Sequence, residues 1–148
     1  FLQNSIASNQ SYCLKIRPHP TIPLAPALAH APLDRSDFFS SSTGTLSDAL
    51  EWADVVLYAS STVGIEAVAR GIPAIYLELP DVLDTDPMFG WEGFKWSVTE
   101  PADLISALQR IEATPESAFQ QLQRAGQEYV ATYLSPVTEA KLASFVES

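Results

Sequence analysis

Three consecutive hydroxyl residues, Ser60, Ser61 and Thr62, stand between an apolar run and a segment with helical periodicity. Glu66 follows one helical turn later, on the same side of the predicted helix as Thr62. The first backbone N–H groups of a helix have no partner within it and attract anions, and Gly64 leaves room for an anion to approach. The pattern predicts a phosphate or diphosphate site, with Glu66 accepting hydrogen bonds from sugar hydroxyls.

The same residues also have a purely structural interpretation. Ser60, Ser61 and Thr62 are of the types that cap helices by accepting a hydrogen bond from a free backbone N–H. Glu66 would be favourable near the start of a helix because of the helix dipole. The chemistry of these four side chains leaves both interpretations open.

Two further predicted strand ends carry polar groups. The segment KIRPHP places the cations Lys15 and Arg17 and then His19 at the end of the first apolar run. His19 could donate a hydrogen bond to a phosphate or act as a base, although a single histidine in a loop is more often structural. The segment FFSSSTGT places hydroxyl residues and Gly44 before a second helix. Since ligands of doubly wound sheets bind outside the carboxyl ends of the strands, these ends are expected to converge on one site.

Short apolar runs alternate with segments of helical periodicity, which is typical of an α/β fold. The predicted strands span residues 12–17, 38–41, 54–59, 74–78 and, from a weaker signal, 93–98. Their apolar runs are continuous, as expected for strands covered on both faces of a parallel sheet. The sequence therefore predicts a Rossmann-like, doubly wound parallel sheet, with the strands in the order 2-1-3-4-5.

The helical segments have recognisable starts. Thr45 and Asp48 have the spacing of a capping box, and Pro101, Pro115 and Pro136 stand where later helices begin. The Pro-rich stretch 18–32 is expected to be a loop with room for one short helix. The apolar stripes expected to face the core are Leu46, Ala49, Leu50 and Ala53; Leu104, Ile105, Leu108 and Ile111; Phe119, Leu122, Gly126, Tyr129 and Tyr133; and Leu142, Phe145 and Val146.

Composition limits the possible functions. The 148 residues are 47% hydrophobic, which is enough for one domain with a core, and no internal repeat or linker divides them. A net charge of -10 opposes binding to nucleic acid or to an anionic membrane. No apolar run approaches the roughly 20 residues of a transmembrane helix. The chain begins at Phe1 rather than Met, which suggests a piece of a longer protein.

Metal and cysteine chemistry have little support in the sequence. Cys13 is the only cysteine, so it is expected to be a small buried hydrophobe in a reducing compartment, with no internal disulfide. One cysteine and two distant histidines give no zinc ligand set. Asp84, Asp86 and Glu92 could be metal ligands or general bases, but a solvated acidic loop is the favoured interpretation. The sequence also lacks G-x-G-x-x-G after a strand and the P-loop motif, which argues against dehydrogenases and P-loop hydrolases.

The segments KIRPHP and LSDALEWADVVLYASSTVGIEAVARGIPAIYLEL resemble the C-terminal, nucleotide-sugar-binding half of GT-B glycosyltransferases. The resemblance is strongest to bacterial surface or capsular polysaccharide transferases and to CDP-glycerol glycerophosphotransferases. It covers residues 14–79 and extends only generically over the helices after Pro101. It implies that Arg17 and His19 lie near the donor diphosphate, with His19 as a candidate catalytic residue.

The resemblance also implies the remaining roles. Ser60, Ser61 and Thr62 would hold the diphosphate, and Glu66 would bind the ribose or the donor sugar. The enzyme would transfer a sugar or a polyol phosphate to a glycan or lipid-linked acceptor by stabilising the leaving group, with no cofactor and no obligatory metal. Its location would be cytoplasmic, or peripheral at the inner membrane for a longer protein.

Two features of the family are missing, and two other functions stay open. The N-terminal GT-B domain, which in this family usually supplies the acceptor site and often the catalytic base, is not among these residues, nor is the first strand expected before a helix remnant at residues 1–7. The isolated domain is therefore expected to be inactive. The alternatives are a nucleotide-sugar 2-epimerase, which would need carboxylates from both halves, and a non-catalytic binding or interaction module with the same sheet.

Overall fold

The computed structural model describes residues 12–19, 24–30, 39–80, 83, 85–134 and 138. The described strands are β1 (Leu14–Ile16), β2 (Phe39–Ser41), β3 (Val56–Tyr58), β4 (Ala74–Leu77) and β5 (Lys95–Val98). The described helices are α1 (Leu24–His30), α2 (Leu46–Trp52), α3 (Val63–Ala69), α4 (Pro101–Glu112) and α5 (Glu116–Tyr133). The prediction of an α/β fold is confirmed. Each predicted strand is present; β1, β3, β4 and β5 are shorter than expected, and residue 38 of the predicted second strand lies outside the described residues. Helix α1 is the short helix allowed for in the Pro-rich stretch.

The described strands pair in parallel, but in two separate sheets. β1 pairs with β2, and β3, β4 and β5 form a second sheet in that order. The neighbours within each sheet agree with the predicted order 2-1-3-4-5, whereas the predicted ladder between β1 and β3 is not among the described pairings. β1 contacts the second sheet through side chains instead, since Leu14, and Tyr12 just before the strand, pack against the cluster that contains Ile75. The single continuous sheet of the prediction is therefore found as two parallel pieces.

The three-stranded sheet is covered on both faces. Side chains of a strand alternate between the two faces, and Ile75 packs with α4 on one face while Tyr76 packs with α3 and α5 on the other. The cluster on the α4 face contains Ile75, Val98, Leu104, Ala107, Leu108 and Ile111. The cluster on the α5 face contains Tyr58, Val68, Ala74, Tyr76, Met88, Phe94 and Val130. This two-sided burial confirms the expectation drawn from the continuous apolar runs.

Helices α3 and α5 pack closely at two glycines. Gly71 has a φ of 75°, a left-handed conformation that glycine adopts readily, and it ends α3. The carbonyl oxygen of Gly71 accepts a hydrogen bond of 2.8 Å from Gln123 of α5. A Cβ atom on Gly126 would lie 2.9 Å from Val68 Cγ1 and 3.0 Å from Phe94 Cβ. The small residue at position 126 therefore permits the close approach of α5 to α3.

The predicted helix stripes are mostly confirmed, with one exception. Leu50 of α2, Leu104 of α4 and Gly126 of α5 are buried, and α4 begins at Pro101 as expected. Tyr133, which was expected to face the core, is 55% exposed at the last turn of α5. It packs on Tyr129 of the preceding turn rather than on the sheet. The helix predicted after Pro136 and the expected helix remnant at residues 1–7 lie outside the described residues.

The prediction that Cys13 is buried is wrong, because its side chain is exposed. Tyr12 and Leu14 both pack against the core cluster around Ile75. In an extended chain, neighbouring side chains point in opposite directions. Cys13 therefore faces away from that cluster, and the apolar character of the segment did not reveal which face it occupies.

In the part of the chain that the structure describes, no helix is both long enough and apolar enough to cross a membrane.

The predicted capping box at α2 is confirmed. Thr45 Oγ1 accepts a hydrogen bond of 3.1 Å from the backbone N–H of Asp48, and Asp48 Oδ2 accepts one of 2.7 Å from the backbone N–H of Thr45. The bond from the Thr45 backbone N–H to the carboxylate, the nearby Thr45 hydroxyl and the charge of Arg17 hold the pKa of Asp48 below its usual value. The charged form of Asp48 is therefore favoured in the folded protein.

Replacing Thr45 with alanine is expected to lower the free energy of unfolding by about 0.5 to 2 kcal/mol, because it removes the side-chain half of the box. The effect should be seen at neutral pH in urea unfolding. A group with a lowered pKa stabilises the fold above its unfolded pKa and loses that effect as the pH falls through its folded pKa. Both proteins should therefore lose stability from Asp48 as the pH falls, whereas the bond that distinguishes them, from the backbone N–H of Asp48 to Thr45 Oγ1, does not titrate, so most of their difference should persist. Thr43→Ala, in the loop before the box, is the matched control, and equal losses in both variants would contradict the assignment.

Candidate functional site

The turn between β3 and α3 carries the predicted binding residues. Ser60, Ser61 and Thr62 are exposed, and α3 begins immediately after them at Val63. The backbone N–H of Glu66 donates to the carbonyl oxygen of Thr62, which places these two residues one helical turn apart, as the sequence predicted. Glu66 is half-buried in the first turn of α3.

The three hydroxyl groups of this turn are used differently. Ser61 Oγ accepts a hydrogen bond of 3.3 Å from the backbone N–H of Val63, which is a capping contact. Thr62 occupies the N-cap position of α3 but makes no capping hydrogen bond through its side chain. Ser60 Oγ accepts a hydrogen bond of 2.6 Å from Thr85 Oγ1. The structural interpretation therefore accounts for Ser61, and it does not account for Ser60 or Thr62.

Gly64 has a different role from the one predicted. A Cβ atom at this position would lie 2.5 Å from Cζ of the Tyr58 ring, closer than any tolerated contact. Gly64 is itself buried. The glycine is required because the Tyr58 ring packs against the first turn of α3, so its presence is explained by packing and not by access of an anion.

Two open depressions lie at the carboxyl ends of the strands. The first, with an empty volume of about 310 Å³, is lined by Ala59, Ser60, Tyr76, Leu77, Glu78, Leu79 and Leu83. The second, of about 390 Å³, is lined by Lys15, Ser41, Ser42, Thr43, Gly44, Asp48 and Ala49. Of the predicted donor-binding residues, Ser60 lines the first depression. Arg17, His19, Ser61, Thr62 and Glu66 do not line either one.

The basic residues of β1 and of the segment that follows it lie at the two-stranded sheet. Arg17 Nη1 donates a hydrogen bond of 2.5 Å to the carbonyl oxygen of Gly44, and its charge acts on Asp48. Lys15 Nζ lies 4.0 Å from the centre of the Trp52 ring, a cation–π contact. His19 follows β1 in the same part of the structure. The structure therefore joins Arg17 to the loop after β2, and it shows no contact between Arg17 and the Ser60–Thr62 turn.

The expectation of a solvated acidic loop is wrong for Asp86, which is 8% exposed. Asp86 Oδ1 accepts hydrogen bonds from Tyr58 Oη at 2.7 Å and from the backbone N–H of Met88 at 3.0 Å. Asp86 Oδ2 forms a salt bridge of 2.5 Å with Lys95 Nζ. The same ammonium group donates to the carbonyl oxygen of Met88 at 2.9 Å. Glu92 is exposed as expected, and Asp84 lies outside the described residues.

The buried pair of Asp86 and Lys95 was missed by the interpretation of the sequence, although a signal was present. Lys95 stands between Phe94 and Trp96 in a predicted strand. A lysine in a strand covered on both faces needs a buried partner of opposite charge. An acidic residue of the preceding loop was the natural candidate. Among the residues that the structure describes, no group of three or more His, Cys, Asp or Glu side chains is placed to hold a metal ion.

Comparison of the chain with protein-family models, with curated proteins and with solved structures gives no match.

Proposed function

We propose that these residues form the donor-binding part of a GT-B glycosyltransferase, which transfers a sugar or a polyol phosphate from a nucleotide diphosphate to a glycan or lipid-linked acceptor. The observation that carries the proposal is the depression at the carboxyl ends of β3 and β4, which Ser60 lines. In open parallel sheets, ligands bind outside the carboxyl ends of the strands. Of the residues quoted for the family, Ser60, Ser61 and Thr62 follow β3 at this edge, whereas Arg17 and His19 follow β1 of the other sheet.

The contacts in and after the turn that follows β3 support different ligand-binding roles for its side chains. Ser60 and Thr62 keep hydroxyl groups that do not cap α3, so they are the side chains proposed to contact the diphosphate. Glu66 lies one turn further along α3 and would accept hydrogen bonds from the hydroxyls of the ribose or the sugar. Leu77, Leu79 and Leu83 supply an apolar wall to the depression, which suits the faces of a base or sugar ring.

Titration of isotope-labelled protein with UDP, CDP and GDP tests the proposal. Binding should shift the amide resonances of residues 59–66 and 76–79, which surround the depression. Uridine, cytidine and guanosine at the same concentrations serve as controls for the contribution of the phosphates. Shifts confined to a distant surface, or no shifts with any of the three diphosphates, would overturn the proposal.

Under this proposal, the 148 residues alone should bind a donor without transferring it. Catalysis in a two-domain enzyme requires groups from both sides of a closed cleft, and an open site leaves the diphosphate hydrated, where each hydrogen bond is worth less. The measurement is transfer of radiolabelled sugar from UDP-, CDP- or GDP-linked donors to a glycan acceptor. Any transfer above the rate without protein would show that the catalytic groups lie within these residues.

A further inference from the structure

Residues 86–88, in the connection between β4 and β5, are fixed to the sheet by a buried polar network. Asp86 and Lys95 form a salt bridge in which the side chains are only 3% and 5% exposed, respectively. Tyr58, the last residue of β3, donates to the Asp86 carboxylate, and Lys95, the first residue of β5, also holds the carbonyl oxygen of Met88. Two strands thus determine the position of residues 86–88.

The same network places Thr85 against the turn after β3. Thr85 precedes Asp86, and its hydroxyl donates a hydrogen bond of 2.6 Å to Ser60 Oγ. Ser60 is two residues beyond Tyr58, so the contacts from Tyr58 to Asp86 and from Ser60 to Thr85 join the same two segments side by side. Unlike Asp86, Thr85 is exposed.

The direction of the hydrogen bond between Thr85 and Ser60 affects what Ser60 can do. A serine hydroxyl has one hydrogen to donate and two lone pairs to accept with. When Thr85 donates to Ser60 Oγ, the hydrogen of Ser60 is left for another acceptor. Accepting a hydrogen bond also polarises a hydroxyl and makes it a stronger donor. Ser60 lines the depression at the ends of β3 and β4, where a ligand oxygen could take that hydrogen.

We infer that Thr85 is a positioning residue for the Ser60 hydroxyl, and that the buried pair of Asp86 and Lys95 holds Thr85 in the position required. The inference rests on the proposed function, in which the acceptor of the Ser60 hydrogen is a phosphoryl oxygen of a nucleoside diphosphate. Thr85 itself does not touch the ligand. Its effect on binding is transmitted entirely through Ser60.

A double-mutant cycle tests this role, measured by calorimetric titration with whichever of UDP, CDP and GDP binds most tightly. Thr85→Val keeps the shape of the side chain and removes the hydroxyl, and it should weaken binding roughly threefold to tenfold. Thr85→Ser keeps the hydroxyl and should bind as the wild type does. In a protein that already carries Ser60→Ala, Thr85→Val should have no further effect.

The outcomes separate this inference from the proposed function. Weaker binding by Ser60→Ala with unchanged binding by Thr85→Val would overturn the role of Thr85 and leave the proposed function in place. Equal losses from Thr85→Val with and without Ser60 would also overturn it, because Thr85 would then act independently. No binding by the wild type, or unchanged binding by Ser60→Ala, would overturn the proposed contact and the inference together. Melting temperatures of all variants show whether a loss of affinity comes from unfolding.

Discussion

Replacing Lys95 with methionine is expected to lower the free energy of unfolding by about 3 to 5 kcal/mol, the typical effect of removing one partner of a buried ion pair. The Asp86 carboxylate would lose its salt bridge while staying in a site that is closed to water. The carbonyl oxygen of Met88 would lose the same donor. Methionine approximates the length of the lysine side chain, so the loss should come from the missing charge and hydrogen bonds and not from a cavity.

Urea unfolding followed by tryptophan fluorescence measures this effect. Lys15→Met is the matched control, because Lys15 is also a strand lysine but is only half-buried, and it should change stability much less. A double variant, Asp86→Asn with Lys95→Met, removes both charges and should be more stable than Lys95→Met alone. If Lys95→Met unfolds at the urea concentration of the wild type, the pair does not hold the loop to the sheet.

Nucleoside diphosphates are expected to bind more tightly than the matching monophosphates, and monophosphates more tightly than nucleosides. Each phosphate adds charge-assisted hydrogen bonds worth on the order of 1.5 to 3 kcal/mol each, which corresponds to roughly tenfold to a hundredfold in affinity. The donors would be the Ser60 and Thr62 hydroxyls and the backbone N–H groups of the turn after β3. Calorimetric titration with each series, at one fixed salt concentration, measures the difference. Equal affinities across a series would contradict a diphosphate site.

Glu66→Ala and Ser61→Ala separate contact with the ligand from helix capping. A carboxylate repels a diphosphate and contributes only through sugar hydroxyls, so Glu66→Ala should weaken ribonucleotides and leave inorganic diphosphate unchanged or slightly tighter. Ser61 Oγ caps Val63, so Ser61→Ala should lower stability by about 0.5 to 2 kcal/mol. If it does so with no change in nucleotide affinity, capping is the whole role of Ser61. Unchanged ribonucleotide affinity in Glu66→Ala would contradict the proposed contact between Glu66 and the sugar hydroxyls.

The positions of the strands and helices could be predicted because they follow from local patterns. The apolar runs that became β3 and β4 are short and flanked by turn residues, and the spacing of Thr45 and Asp48 fixed the start of α2. The ladder expected between β1 and β3 could not be tested by such patterns. Strand pairing depends on contacts between distant parts of the chain, and periodicity within one segment carries no information about its neighbour.

The sequence predicted where the hydroxyl residues of the candidate site lie, but not which side chains they contact. The hydroxyl residues do follow β3, since the transition from apolar run to helix locates them there. Their partners could not be inferred, because Thr85 approaches Ser60 only through the path of the loop between β4 and β5. The assignment of Asp86 to a solvated loop failed for a related reason: a carboxylate is normally exposed, and Lys95 makes burial tolerable only once the strands are assembled.

The parallel pairing of all the described strands affects how the chain folds. A parallel pair cannot form from a hairpin turn, because a connection must first cross the sheet. Closing these long connections reduces chain entropy before any ladder hydrogen bond is made. Refolding is therefore expected to be slower than for a helical protein of similar length. Until the crossovers close, the apolar segment of β4 is exposed and can associate with other chains. The yield of refolded protein should therefore fall as the protein concentration rises.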